Sequence, residues 1–499
     1  VVGHGSCRRR LDNLFFFFVR RMSMLTSERM AVVDRNAMYL GVPPEQLMEN
    51  AGAALAREAG RDEPDDFLVL AGTGNNGGDA LVAARFLAHK ADVTTVLLGR
   101  ATNIRTEESR SNWDVLEASD TRLVELRDSA ELGSLDFDVD AVVDGMLGVG
   151  VSGALREPVA SAVERVNASE ARVVSADVPT GVNPDADEPS GEYVEADAVV
   201  AFHDTKPVHS SLEARVVVAD IGIPDAAEEF VGEGDLTLLR RDPESHKGDH
   251  GKVVVVGGGP YTGAPALTAT AALRAGADLA KVVAPERAAE TVASFSPNLI
   301  TRPLEGDFLK PCHVDKVVAE ANDADVTVIG PGLGAAEETL SAVRELMPNL
   351  DCAVVDADAL REIDAVRDDA EVIATPHAGE LARHVDEVPK DWRERRETVR
   401  DFAHEMGVVT LLKGHYDVVS DGERTRVSRT GNPGMTVGGT GDVLAGVCAS
   451  LSARLDAFDA ACIGVFANGR AGDAIVEERG YGMTATDLVE AVPGALKTK

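Results

Sequence analysis

The chain has 499 residues, too many for one ordinary core, so two or three domains are expected. Hydrophobic residues make up 44% and aromatics only 4%, a balance of α/β enzymes rather than β-sandwiches. Acidic residues outnumber basic ones 84 to 49, for a net charge of −35, which argues against a nonspecific nucleic-acid binder or a protein drawn to anionic membranes.

The acid is spread along the whole chain and reads as a halophile's solubility device, effective where salt screens repulsion within a few Å. Residues 1–23, "VVGHGSCRRRLDNLFFFFVRRMS", place three arginines before the short apolar run "LFFFFV". The run is too brief for a signal peptide, lacks a small-residue cleavage site and ends in "RR". The segment is expected to be a non-native or disordered extension, with Met22 or Met24 as the true start. No run reaches the roughly 20 apolar residues of a membrane span. Cys7, Cys312, Cys352, Cys448 and Cys462 stand far apart without a CxxC pair, which favours a reducing cytoplasm over a zinc or disulfide framework.

From residue 66 short apolar strands alternate with amphipathic helices. "DFLVLAG" (66–72) is followed by a helical stretch at 78–90 and by "ADVTTVLLG" (91–99). "VDAVVDG" (139–145), "ARVVSADVP" (171–179), "ADAVVAF" (196–202) and "ARVVVADIG" (214–222) continue the series. Unbroken apolar strands separated by helices predict a parallel sheet covered on both faces. After a polar stretch at 239–251 the pattern restarts with "KVVVVGG" (252–258), "DLAKVVAP" (278–285), "ADVTVIGPG" (324–332), "CAVVDAD" (352–358), "EVIATP" (371–376) and "GVVTLLKG" (407–414). The boundary is placed at "GEGD", giving domains 24–234 and 235–499. The fold class is α/β: a Rossmann-like three-layer domain, then a second α/β domain. Two such sheets imply two sites beyond the carboxyl ends of their strands.

In the first domain "AGTGNNGGDALVAARFL" (71–87) follows a strand and opens a helix, so its backbone can approach an anion closely. Such a stretch can also be only a turn. Asp144 in "VVDGMLGVGVSGALREP" and Asp177 in "SADVPTGVNPDAD" end two further strands, where carboxylates converge in space; each alone could be a turn cap. In the second domain "NPGMTVGGTGDVLAG" (432–446) sets Gly439 to Gly441 as a backbone cradle for a phosphoryl group. Asp442, one residue on, is placed to act as general base, or to cap the helix. Asp356 and Asp358 could bind magnesium or cap the next helix.

"NNGGD", "DGMLGVGVSG" with "REP", and "DVPTG", after "LMENAG" (47–52), resemble the epimerase domain of bifunctional NAD(P)H-hydrate repair enzymes. The resemblance implies that Asn75, Asn76, Gly77, Gly78 and Asp79, with Gly148, Val149, Gly150, Val151, Ser152, Gly153 and Ala154, contact the dinucleotide. It implies that Asn76, Asp144 and Thr180 hold a potassium ion, and that Asp177 contacts the hydrated nicotinamide as the acid–base group. Some members carry a lysine where Ser152 stands, so Asp177 is left here without an assigned charged partner. "YTGAP" (261–265), "GPGLG" (330–334), "DADAL" (356–360), "TPHAGE" (375–380) and the 432–446 stretch resemble the ribokinase-like ADP- or ATP-dependent dehydratase domain of the same enzymes. That implies hydrate contacts from Ala264, Gly332, His377 and Asp442. Nucleotide contacts would come from Lys413, Gly414, His415, Tyr416, Asp417 and Gly441.

The implied reaction is repair. Phosphorylating the hydroxyl of a hydrated nicotinamide turns it into a leaving group, and elimination restores the ring; an epimerase keeps the other epimer from being stranded. The expected cofactors are potassium in the first domain and magnesium with ADP or ATP in the second. The expected partners are NAD(P)H hydrates and ADP or ATP, with no nucleic acid or membrane, in a cytoplasmic homo-oligomer. The alternative is a ribokinase-like kinase of a small alcohol with a non-catalytic nucleotide-binding scaffold in front.

Overall fold

The computed structural model describes residues 24–119, 121–148 and 153–498, so the expected extension 1–23 lies outside the described residues. The chain divides into two compact units. One comprises the described residues up to Met30 and Pro43–Ile223; the other comprises Ala31–Val42 and Pro224–Lys499.

The first unit holds seven strands: β1 (Asp66–Ala71), β2 (Asp92–Leu98), β3 (Arg122–Leu126), β4 (Ala141–Gly145), β5 (Arg172–Ala176), β6 (Ala198–Phe202) and β7 (Arg215–Ala219). They pair in the order β3-β2-β1-β4-β5-β6-β7, all parallel. Leu68 and Leu70 of β1 point to one face, where they pack with Ala162, Val163 and Val166 of the helix Val159–Asn167. Helices Pro44–Ala59 and Asn75–Leu87 pack together, and each presents a run of buried Ala and Leu. A sheet buried on both faces explains why its central strands read as near-continuous apolar runs.

The second unit is built on β8 (Lys252–Val256), β9 (Leu279–Pro285), β10 (Ile300–Leu304), β11 (Val326–Ile329), β12 (Cys352–Val355), β13 (Glu371–Ala374), β14 (Val409–Leu412), β15 (Asp417–Ser420) and β16 (Thr425–Ser428). The order is β10-β9-β8-β11-β12-β13-β14-β15-β16. Along β8 the period of two is explicit: Val253 and Val255 enter one core, Val254 and Val256 the other. The sheet is not wholly parallel as expected. β14, β15 and β16 run antiparallel, because the connections between them are short turns with no room for a crossover helix.

The division after Ile223 differs from the expected one at residue 235, for a physical reason. Val231 and Leu236 sit in the core of the second unit, Val231 N donates to Val427 O at 2.9 Å, and Asp235 is ion-paired to Arg426 at 3.0 Å with both side chains buried. Asn36 donates to the same Asp235 carboxylate at 3.0 Å, which ties Ala31–Val42 to this unit.

Candidate active sites

In the first sheet the strand order reverses at β1, with β2 on one side and β4 on the other, so their diverging connections leave a crevice at the carboxyl ends. Asn76 enters it from the first turn of Asn75–Leu87, and its Nδ2 donates to Leu147 O at 3.2 Å and Ala176 O at 2.9 Å. Asp144 at the end of β4 is 1% exposed and accepts four hydrogen bonds. They come from Thr180 Oγ1 (2.6 Å), Thr180 N (2.9 Å), Ser175 Oγ (2.8 Å) and Met146 N (3.2 Å). Burial pushes its carboxyl above the ordinary range, against the pull of those donors. Leu147 N donates to Thr180 Oγ1 at 3.0 Å, so Asn76, Asp144 and Thr180 form one oxygen-rich cluster.

Gly148 lies on that cluster: a Cβ there would come within 2.6 Å of the Asn76 amide. Asn75, Gly153 and Ala154 are exposed, whereas Gly77, Gly78 and Asp79 are buried, Gly78 against Met48 and Ser109. Val149, Gly150, Val151 and Ser152 lie outside the described residues.

Asp177, one residue past β5, has φ 61°, a left-handed conformation that aspartate tolerates better than most side chains. Its Oδ1 accepts from Phe202 N at 3.1 Å and from Lys206 Nζ at 2.5 Å, and the Lys206 side chain is 1% exposed. Thus Asp177 does have a charged partner, one that sequence reasoning left unassigned. Its signal was a lysine just past β6, in "HDTKPVH", and nothing in a lone lysine says that it is buried. His209 completes the group: its Nδ1 accepts from Lys206 N (3.0 Å), so Nε2 carries the proton and donates to Asp177 O (2.8 Å). Burial, then the Lys206 charge, lowers the His209 pKa and keeps the ring neutral.

In the second sheet the order reverses at β8, and the named motifs leave the carboxyl ends of β8, β11, β12, β13 and β14. The helix Thr440–Ser452 is buried from Val443 to Ser452. Gly446 lets it dock closely on Gly263–Arg274, since a Cβ there would lie 2.1 Å from Thr268 O. That anchorage fixes the helix start. Gly439 caps it with φ 98°, and a Cβ at that position would lie 2.8 Å from both Ala485 Cβ and Leu267 Cδ1. Gly439→Ala is therefore expected to destabilise the second unit by about 1–3 kcal/mol, read as a lower denaturation midpoint of its transition.

Asp442, in the first turn of that helix, is half-buried, and its pKa is pushed up to about 7 by burial first and the Asp356 charge second, with Lys413 opposing. Asp356 is buried and accepts from Thr375 Oγ1 (2.7 Å) and Lys413 Nζ (2.9 Å). Burial would lower the Lys413 pKa, but Asp356, with Glu380 and Asp442 beyond it, holds it raised. A Cβ on Gly441 would lie 3.4 Å from Lys413 Nζ, so cradle, cation and both carboxylates share one place. Sequence reasoning did not pair Asp356 with Lys413. Asp358 instead faces Arg361 at 3.4 Å.

Ala264 and Gly332 meet, the Ala264 Cβ lying 3.4 Å from where a Gly332 Cβ would be. His377 is exposed and caps the turn after β13, Nδ1 accepting from Glu380 N at 3.1 Å while Glu380 Oε2 accepts from His377 N at 2.8 Å. Lys413 N donates to Pro376 O at 2.9 Å, which brings the His377 turn beside the nucleotide loop. In that loop Gly414 N donates to Asp417 Oδ1 at 2.7 Å, burial pushes the Asp417 carboxyl up to about 7, and His415 and Tyr416 stack edge-on at 4.8 Å.

Comparison with known proteins adds to this geometry. The NAD(P)H-hydrate dehydratase family matches residues 253–494, and the YjeF-related protein N-terminus family matches residues 44–208. The bifunctional NAD(P)H-hydrate repair enzyme of Pyrobaculum aerophilum is 45% identical, over 95% of this chain and 98% of its own. That of Methanopyrus kandleri is 44% identical, over 95% and 96%. Among solved structures, the ADP/ATP-dependent NAD(P)H-hydrate dehydratase from Bacillus subtilis, co-crystallised with ATP and Mg2+, is 26% identical with a TM-score of 0.47, over 54% of this chain and 97% of its own.

Proposed function

The chain belongs to the bifunctional NAD(P)H-hydrate repair enzymes, and from that premise we propose which of its residues carry the two reactions. It is an isomerase and a lyase in one chain: it interconverts the R and S hydrates of NADH and NADPH and dehydrates the S epimer at the expense of ADP or ATP.

The dehydratase assignment rests on one observation: Asp442, with its pKa pushed up to about 7, lies beside the Gly439–Gly441 backbone and the Lys413 cation. A carboxylate poised near neutrality takes the proton of the hydrate hydroxyl efficiently. The freed oxygen attacks the terminal phosphoryl group, whose oxygens the cradle N–H groups and Lys413 hold, and AMP or ADP departs. Phosphate then leaves the ring, and loss of a proton from the adjacent ring carbon restores the dihydropyridine. Lys413, Gly414, His415, Tyr416, Asp417 and Gly441 hold the nucleotide; Ala264, Gly332 and His377 hold the hydrate. Magnesium bound with the nucleotide would neutralise charge on its phosphates.

In the first unit Asp177 is the acid–base group. Phe202 N and Lys206 Nζ both occupy its Oδ1, and among the described residues nothing donates to Oδ2, the atom left for proton transfer. The dinucleotide is held by Asn75 to Asp79 and by Gly148 to Ala154. Asn76, Asp144 and Thr180 fit a potassium ion: they bring together hard oxygens, and the carboxylate is buried with no cationic side chain paired to it among the described residues. The ion would supply fixed positive charge to the dinucleotide-binding turn. The acid-rich surface suits a cytoplasm of high salt, and a homo-oligomer is the assembly expected there.

Incubating the protein with each hydrate epimer, Mg2+ and either ADP or ATP, and following dihydropyridine absorbance, tests the reading. Both epimers should be restored with stoichiometric phosphate release. Accumulation of a stable phosphorylated product would instead mark a conventional small-alcohol kinase.

A further inference from the structure

We propose that Lys206 is a positioning residue of the epimerase, holding the Asp177 carboxyl group so that Oδ2 is left free for proton transfer. The inference rests on the assignment of Asp177 as the acid–base group and goes beyond it.

The Lys206 side chain is 1% exposed and its ammonium lies 2.5 Å from Asp177 Oδ1. An ammonium withdrawn from water costs several kcal/mol unless an anion compensates it, and the same holds for the carboxylate. Each group therefore compensates the other at this buried place. The pair also selects an oxygen. With Phe202 N and Lys206 Nζ both on Oδ1, rotation of the carboxyl would break two hydrogen bonds at once.

The backbone of Asp177 is gripped from the same turn. Lys206 N donates to His209 Nδ1, which fixes the tautomer whose Nε2 donates to Asp177 O at 2.8 Å. Lys206 and the turn Pro207–Ser211 that follows it thus hold both the side chain and the peptide of one aspartate, at a left-handed φ of 61°. A structural ion pair would need neither the second grip nor the unusual backbone. A carboxylate whose oxygen must be aimed within a fraction of an Å needs both.

The test compares Lys206→Met with Asp177→Asn in the full chain. R-to-S conversion is followed by chromatographic separation of the epimers with nucleotide omitted. Dehydration of the S hydrate by the same preparations reports the concentration of folded chain. Lys206→Met is expected to lower kcat for epimerisation about 100-fold with KM within about twofold, as for loss of alignment rather than of binding. The double variant is expected to be no slower than Asp177→Asn alone, because the two residues act as a unit. Unchanged kcat in Lys206→Met, with Asp177→Asn inactive, overturns the inference and leaves the role of Asp177 standing. Full activity in Asp177→Asn overturns the role itself. Should Lys206→Met lose the melting transition of the first unit, His209→Gln takes its place. That variant keeps the ammonium, and kcat should fall about 10-fold at constant KM; a wild-type kcat there would equally overturn the proposal.

Discussion

Asp442→Asn is expected to lower the rate of S-hydrate dehydration by about 10²–10⁴-fold while leaving epimerisation at its wild-type rate, because general-base catalysis contributes on that scale. The variant should fold at least as well as the parent. Burial and the Asp356 charge both penalise the ionised Asp442, so an amide relieves the folded chain of an unfavourable charge. Lost activity with unchanged or improved thermal stability is a pattern that a capping role would not produce, since removal of a helix cap costs about 1 kcal/mol. The pH dependence carries the same signature. A base works only when deprotonated, so with its pKa near 7 the dehydration rate of the wild type should rise through neutrality and level off above it. A rising limb centred near pH 4 would contradict the burial and charge effects that set Asp442 apart from a surface aspartate.

Lys413→Met is the second large effect, acting on stability and on that pH profile together. Its ammonium is the cationic partner of Asp356, which is buried and has Thr375 Oγ1 as a further donor. Breaking a buried pair by removing one partner strands the other charge and costs about 3–5 kcal/mol. A large downward shift in the denaturation midpoint of the second unit is therefore expected, with the first unit unmoved. Because the Lys413 charge lowers the Asp442 pKa, its loss should move the rising limb of dehydration to higher pH. Asp356→Asn removes a charge that raises the same pKa, and should move the limb to lower pH. The two shifts have opposite signs, and pH–rate profiles of the two variants measure them directly. Shifts of the same sign would mean that the three charges do not share one field.

Motif order was legible from the chain because it depends on local spacing. Glycine, aspartate and apolar runs at fixed offsets mark strand ends and helix starts, and, apart from "LMENAG" inside the helix Pro44–Ala59, those motifs follow carboxyl ends of strands. The central strands were readable because both of their faces are covered, so their residues are apolar without interruption. The edges were not. β3 is half-covered, β10 carries exposed Ile300, Arg302 and Pro303, and β15 and β16 form a short hairpin; none shows a continuous apolar run. For the same reason the boundary near residue 235 differed. Val231 lies just ahead of "GEGD", and its hydrogen bond to the distant Val427 O places it in the second unit.

By itself, then, the sequence determined the two α/β units, the positions of both glycine-rich turns and the identity of the two carboxylates proposed for chemistry, since each depends on neighbours within a dozen residues. Tertiary structure alone decided that Lys206 is the partner of Asp177, that Asp356 holds Lys413, and that Asp442 titrates near neutrality. Burial and ion pairing depend on which distant segments cover a group, and no local spacing encodes that.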